Sequence, residues 1–143
     1  MTWSHFIHGM IMYGLAWLLW LRLPAKLSVF APLEKVAPWA LPVAVLLEAA
    51  WEISENTQTV IGRYREVTIS WGYSGDSIVN SASDIGWMVI GFFIAARLPW
   101  KVSAAIAVFL ELLALWVIRD NLTLNVIMLL WPIEAIAKWQ AMG

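Results

Sequence analysis

The chain has 143 residues, of which 62% are hydrophobic and 13% charged, and its mean hydropathy is +0.74. Soluble domains average roughly 45–50% apolar residues, so this composition predicts a single integral membrane domain. The net charge of −1 excludes the basic surface that a nucleic-acid-binding protein needs. Because cysteine is absent, disulfides, thiolate metal ligands and cysteine nucleophiles are excluded as well.

Four apolar segments have the length and composition of membrane-spanning helices, since about 20 residues at ~1.5 Å per residue cross a ~30 Å hydrocarbon core. We predict spans at about 6–23, 39–56, 78–98 and 102–118. The C-terminal segment, about 122–140, is interrupted by Pro132 and predicts a kinked, re-entrant or fifth helix. The predicted fold is therefore an all-α integral membrane protein, one domain over 1–143, with a bundle of four transmembrane helices plus this segment.

A polar stretch, 57–74, separates the second and third spans, and its pattern fits either an interfacial helix or an extended loop. Gly75-Asp76-Ser77 then indicates a helix start, because Asp or Ser accepts hydrogen bonds from the free N–H groups of a first turn. Within the third span, Gly86 and Gly91 predict close packing against another helix.

Charged residues concentrate in 47–84, which holds six of the ten acidic residues. Glu48, Glu52 and Glu55 follow the spacing i, i+4, i+7 and so share one face of the second helix. Asp84 lies two turns into the third span, where an ionisable residue is costly and indicates function. Glu111 stands apart, near the middle of the fourth span.

An alternating arrangement of the four spans brings most polar residues to the side of the membrane that holds the N-terminus. The opposite side collects five basic residues, Arg22, Lys26, Lys35, Arg97 and Lys101, against Arg63, Arg65 and Arg119 on the polar side. The positive-inside rule then places the basic side in the cytoplasm. We therefore predict a multi-pass protein of the bacterial inner membrane whose polar cluster faces the periplasm.

Several ordered blocks of sequence resemble one family of bacterial inner-membrane proteins. The blocks are His5-Phe6-Ile7-His8-Gly9, the run from Glu48 to Asn56, Arg63-Tyr64-Arg65 with Thr68-Ile69-Ser70, the run from Gly75 to Ser81 with Asp84, and the run from Arg119 to Asn125. The family is the domain-of-unknown-function family 2585, also called uncharacterised protein family 0314. The resemblance covers about Ser4 to Gln140 and implies an architecture and a set of residues, but no reaction.

Members of that family usually carry a further N-terminal membrane helix before the histidine block, so the resemblance implies that this chain is a shortened form or begins inside the family pattern. A Glu-bearing helix followed by the Asp76-x-x-x-Asn80 helix start is also distantly similar to VanZ-like membrane proteins.

Three groups of residues form the predicted site. The catalytic candidates are Glu52, Asp76 and Asp84, and the candidate ligands for a divalent metal are His5, His8, Glu48, Glu52 and Glu55. Residues that would bind a substrate anion or form a structural network are Arg63, Arg65, Asn56, Asn80, Arg119 and Asp120.

Each group also has a purely structural interpretation. The two histidines can simply be solvated at the membrane interface, and the arginines can neutralise the glutamates in an ion-pair network. Asp76 and Asn80 can serve only to cap the third helix.

Three functions are compatible with the sequence. The first is a small enzyme that acts on a lipid-linked or amphiphilic substrate while the arginines hold the phosphate or carboxylate of that substrate. In the metal-dependent version of this hypothesis the enzyme uses a divalent ion. The second is a non-catalytic subunit or assembly factor of a larger membrane complex. The third is an ion-coupled carrier that uses Glu48, Glu52 and Glu111. The expected partners are membrane lipids and other membrane subunits, with no nucleic acid.

Overall fold

The computed structural model of the chain describes residues 2–22, 39–68 and 72–142. Within these ranges every element of regular secondary structure is an α-helix, which confirms the all-α prediction. The seven helices of the described residues are α1 (Thr2–Arg22), α2 (Ala40–Glu55), α3 (Gln58–Val67), α4 (Ile78–Arg97), α5 (Trp100–Ile118), α6 (Leu122–Leu130) and α7 (Glu134–Ala141). Residues 23–38, which include Lys26 and Lys35 between the first two predicted spans, lie outside the described residues, as does the side chain of Arg22.

Two of these helices, α4 and α5, are long and apolar enough to cross a membrane by length and composition. None of the residues of α5 is buried, and its outward side chains include Phe109, 63% exposed, and Trp116, 82% exposed. Such a surface is stable only where lipid or another protein covers it.

Helices α1 and α4 pack backbone to backbone through two glycines. A Cβ atom added to Gly9 would overlap the carbonyl oxygen of Met88, and one added to Gly91 would overlap the carbonyl oxygen of Phe6. The glycine pattern of α4 predicted this contact at both Gly86 and Gly91, but a Cβ on Gly86 would meet nothing within 4 Å. Only glycine allows so close an approach, and it brings His5 of α1 within 3.7 Å of Asp84 on α4.

The buried face of α2 is apolar at one end and acidic at the other. It consists of Ala40, Ala44, Glu48, Glu52 and Glu55. The two alanines pack with Met88 and Phe92 of α4 in the apolar core. Because all five residues lie on one helical stripe, the packing that buries the alanines also carries the three glutamates into the protein interior.

The polar stretch after α2 is helical over α3, which settles its conformation within the described residues. The side chain of Thr57 caps α3 by accepting from the backbone N–H of Val60 at 3.4 Å. Ser77, rather than Asp76, caps α4 by accepting from the N–H of Asn80 at 3.2 Å. Gly75, at φ +93°, makes the sharp turn that precedes this cap.

The side chain of Glu111, on α5, accepts hydrogen bonds from the first turn of α6. Its carboxylate accepts the N–H groups of Leu122 at 3.1 Å and Thr123 at 3.0 Å, and the Thr123 hydroxyl at 2.6 Å. A carboxylate at a helix N-terminus satisfies free donors and complements the helix dipole. The C-terminal region forms two short helices, of nine and eight residues, on either side of Pro132, and each is too short to cross a membrane alone.

Candidate functional site

The centre of the polar cluster is the carboxylate of Glu48, which receives two histidines. Its Oε1 atom lies 2.6 Å from Nδ1 of His5 and 3.1 Å from Nδ1 of His8. The histidines are three residues apart on α1 and therefore face α2 together. Glu48 is 1% exposed, so this contact is shielded from solvent.

His5 also faces two further carboxylates. Its Nδ1 atom is 3.4 Å from Oε1 of Glu52 on α2, and its Nε2 atom is 3.7 Å from Oδ2 of Asp84 on α4. Both carboxylates are buried, at 3% and 4% exposure. Three helices thus bring one imidazole and three acidic side chains into direct contact.

A chain of hydrogen bonds connects the loop before α4 to the cluster. The backbone N–H of Asp76 donates to Oδ1 of Asn56 at 2.6 Å. The amide of Asn80 donates to Asp76 at 2.7 Å and to Asp84 at 3.2 Å. Asp76 and Asn80 therefore do not cap α4, a role that Ser77 has, but they fasten the loop to α4 and join Asp84 to it.

Two tyrosines complete this network. The hydroxyl of Tyr64 donates to Glu55, and that of Tyr73 donates to Asp76 at 2.7 Å. Burial, together with these hydrogen bonds to carboxylates, raises the pKa of both phenols far above the ordinary value of tyrosine. Both phenols therefore remain protonated and act as hydrogen-bond donors at physiological pH.

Sequence reasoning missed the two tyrosines as site residues. Tyr64 shares its spacing with two other buried residues of α3, Ile61 and Val67, and this period of three was the available signal that it points inward. For Tyr73, outside the helices, no local pattern indicated a role.

The buried carboxylates outnumber the positive charges around them. Glu48, Glu52, Glu55 and Asp84 are all buried. Among the described residues no lysine or arginine forms an ion pair with them, and the histidines provide their only ionic contacts. Oε2 of Glu48 and both oxygens of Glu52 have no hydrogen-bond partner of normal geometry among the described residues. Two protonated imidazoles would balance only two of these four carboxylates if all four were ionised.

The predicted arginines bind backbone carbonyls instead. Arg63 donates to the carbonyl of Leu129 at 3.3 Å, Arg65 donates to that of Tyr73, and Arg119 donates to that of Trp139 at 3.2 Å. The structure therefore does not bring these guanidinium groups into ion pairs with the glutamates.

Asp120 belongs to a separate buried network. Its Oδ1 accepts from the backbone N–H of Asn121 at 3.0 Å and from the amide of Gln140 at 3.1 Å. Burial raises the pKa of Asp120 above the ordinary value of an aspartate. These bonds join the α5–α6 turn to α7, so the contacts of Asp120 are structural ones.

A cavity of about 620 Å³ lies against the cluster and is bounded by α1, α2, α3, α6 and the loop before α4. Its polar lining is Ser4, His5, His8, Glu48, Glu55, Tyr64, Tyr73, Asp76 and Asn125, and its apolar lining is Ile11, Met12, Leu15, Leu47, Trp51, Leu122 and Val126. Of the three predicted catalytic residues only Asp76 lines it, because Glu52 and Asp84 lie behind His5. Its size is that of a small-molecule site, which spans roughly 300–1,000 Å³.

Fold and site together define an all-helical protein with two helices suited to a membrane and a buried histidine–carboxylate cluster beside a cavity. The chain belongs to the family described as "Protein of unknown function (DUF2585)", whose model matches residues 1–142. The resemblance seen in the sequence blocks is thereby confirmed.

Relatives of the chain carry the description UPF0314 protein. It is 51% identical over 142 residues to that of Novosphingobium aromaticivorans, covering 99% of this chain and 68% of the relative. It is 51% identical over 138 residues to that of Paracoccus denitrificans, covering 96% of this chain and 65% of the relative. The chain thus spans about two thirds of the length of these relatives. No solved structure matches it.

Proposed function

We propose that this protein is a small polytopic enzyme of the bacterial inner membrane that acts on the head group of an amphiphilic or lipid-linked substrate. The division of the cavity carries the proposal. One part is lined by histidine, glutamate and tyrosine side chains, and the other by Ile11, Met12, Leu15 and Leu47. An amphiphile presents the same division, because its head group needs polar partners and its chain needs apolar ones.

In this proposal α1, α2, α4 and α5 cross the membrane. The exposed apolar side chains of α5 and the length of α4 support two of these spans. Helix α1 has 21 residues and a length of about 31 Å, whereas α2 has 16 residues and a length of about 24 Å. The shorter α2 would reach the membrane interface through Trp39, the residue at its start. The polar cluster then lies beneath the periplasmic head groups, with Arg97 and Lys101 on the cytoplasmic side.

Because the chain has no cysteine, this orientation can be tested by single-cysteine labelling without background. Gln58 and Lys101 are both exposed and lie on opposite sides in the proposed topology. In intact cells a membrane-impermeant maleimide is expected to label Gln58→Cys but to label Lys101→Cys only after permeabilisation. The reverse pattern would place the cluster in the cytoplasm, and labelling of both variants in intact cells would contradict the four-span topology.

The head-group region offers acid–base chemistry. His8 and Glu55 line the cavity, and Glu48 holds the Nδ1 atom of His8. A carboxylate that accepts from one ring nitrogen fixes the tautomer and leaves the other nitrogen free to accept a proton or to bind a metal ion. Arg63, Arg65 and Arg119 each donate one N–H group to a backbone carbonyl. A guanidinium group has five N–H donors, so the binding of a substrate anion by these arginines stays a prediction.

The proposed activity can be tested with the protein reconstituted in vesicles of bacterial inner-membrane lipids. Mass spectrometry is expected to show one lipid class consumed and its head-group product formed. Leu15→Trp fills the apolar part of the cavity and is expected to slow this turnover by about tenfold, equivalent to ~1.4 kcal/mol of lost chain binding. Leu130→Trp is the control, because Leu130 is 77% exposed and lies outside the lining. Unchanged lipids with the wild-type protein would contradict the proposal.

The exposed surface of α5 favours a second candidate, a non-catalytic subunit of a membrane complex, because another protein would cover it as well as lipid does. A photo-crosslinker at position 116 distinguishes the two. Crosslinks to lipid alone support the free-standing enzyme, whereas a stoichiometric crosslink to one other protein, together with absent lipid turnover, supports the subunit.

A further inference from the structure

We propose that His5, His8 and Glu48 bind one divalent metal ion of the zinc class at the polar end of the cavity. Binding itself is argued from the geometry of these residues, and only the role of the ion in catalysis rests on the proposed function. Each of the three residues offers a ligand atom, and these atoms lie within 4.8 Å of one another.

The donor set is that of a catalytic zinc site. Two imidazoles and one glutamate, with the fourth position left for water or substrate, form a common catalytic arrangement. Ligand atoms around a tetrahedral zinc with ~2.0–2.1 Å bonds are roughly 3.3 Å apart. Nδ1 of His5 and Oε1 of Glu48 are 2.6 Å apart, so the carboxylate turns slightly on binding, and its unpaired Oε2 is available as the ligand atom.

A buried carboxylate oxygen without a partner is the independent observation that points to a cation. Glu48 is 1% exposed and its Oε2 has no hydrogen-bond partner among the described residues, while buried Glu52 has only His5, 3.4 Å away, as an ionic contact there. A buried carboxylate that lacks partners is strongly unfavourable. A divalent ion next to His5 would supply two positive charges where the described residues provide no lysine or arginine.

The surroundings of His5 include a carboxylate of the kind that orients metal-bound histidines in other proteins. Carboxylates that contact a ligating imidazole fix its orientation and strengthen its binding. Asp84 lies on the Nε2 side of His5, the nitrogen that stays free when Nδ1 binds the ion, with its Oδ2 3.7 Å away. This assigns a positioning role to Asp84, which sequence reasoning predicted to be catalytic.

The three ligands all line the cavity, so the open position of the ion would face the space proposed for the head group. Glu55 lines the same cavity and is held by Tyr64. It is therefore placed to accept a proton from a metal-bound water. A rival ligand set consists of His5, Glu52 and Glu55 and shares only His5 with the proposed set. Substitution of His8 therefore distinguishes the two sets, because His8 belongs only to the proposed one.

The test uses the full chain purified in detergent without chelator. Elemental analysis is expected to find about one metal ion per chain, and after removal of metal with EDTA, titration with Zn²⁺ or Co²⁺ is expected to saturate at one equivalent. His8→Gln and Glu48→Gln are each expected to weaken Zn²⁺ binding by at least about 100-fold, more than loss of a residue that only supports a ligand. Glu134→Gln, on the exposed Glu134–Lys138 pair, is the control and is expected to bind as the wild type does.

Two results would overturn the metal site. One is the absence of saturable Zn²⁺ or Co²⁺ binding by the wild type, and the other is wild-type affinity in His8→Gln, which would favour the rival set. The metal site and the proposed function fail separately. Lipid turnover that persists in EDTA would remove the metal from the mechanism, whereas stoichiometric metal without lipid turnover would leave the site standing and remove the enzyme.

Discussion

One added methyl group at Gly91 is expected to destabilise the protein by about 3 kcal/mol, at the upper end of the usual cost of overpacking. The Cβ of Gly91→Ala would lie only 2.0 Å from the Phe6 carbonyl oxygen, and backbone atoms cannot move aside as a flexible side chain does. Helices α1 and α4 would have to separate, and His5 would move away from Asp84. Gly9→Ala is expected to have the same effect from the other side of the contact.

Each of these variants has a matched control on its own helix. A Cβ on Gly86 of α4 or on Gly14 of α1 meets nothing within 4 Å. Alanine at these two positions is expected to leave stability unchanged or to raise it by up to about 1 kcal/mol, because alanine favours helix over glycine. Thermal unfolding in detergent measures all four variants. Equal melting temperatures for Gly91→Ala and Gly86→Ala would show that α1 and α4 do not approach as described.

Glu48→Gln is expected to lower the rate of lipid turnover by at least about 100-fold, a loss of about 99%. This is the lower end of the rate enhancement that acid–base groups contribute. The substitution removes the charge that holds both histidines, and with it the orientation of His8 in the cavity. Stability is expected to be retained or raised, because the cluster already contains more buried carboxylates than positive partners.

The combination of lost activity and retained stability separates a functional cluster from a structural one. If the cluster serves only to hold the bundle together, Glu48→Gln is expected to lower the melting temperature by several degrees. Turnover and melting temperature are therefore measured on the same preparation, with Glu134→Gln as the control for a surface glutamate. A Glu48→Gln protein that turns over lipid at the wild-type rate would remove the cluster from the chemistry.

Local patterns predicted much of the helical structure. Apolar length and turn residues indicated α1, α2, α4 and α5 within a few residues, because helix formation depends on neighbours in sequence. The same patterns left the segment after α2 open, since α3 is short and only half apolar. They also kept several possibilities for the C-terminal segment, which divides at Pro132 into α6 and α7.

The residues of the site were harder to assign, because each role depends on contacts between helices. Sequence spacing placed Glu48, Glu52 and Glu55 on one face of α2, but did not reveal that this face is buried against α1 and α4. Sequence reasoning treated Glu111 as an isolated intramembrane acid, whereas in the fold its carboxylate accepts hydrogen bonds from backbone N–H groups in the first turn of α6. It also proposed arginines as partners of the glutamates, and only the folded chain shows them bound to distant carbonyls.

The sequence by itself determined the helical class, the family and the residue types available for chemistry, since these follow from composition, periodicity and ordered blocks of residues. The tertiary structure decided which of those residues meet. Two glycines bring α1 against α4, and one stripe of α2 then places Glu48 between His5 and His8. The physical reason is that helix periodicity acts over a few residues, whereas contacts between residues 5, 48 and 84 depend on how closely whole helices pack.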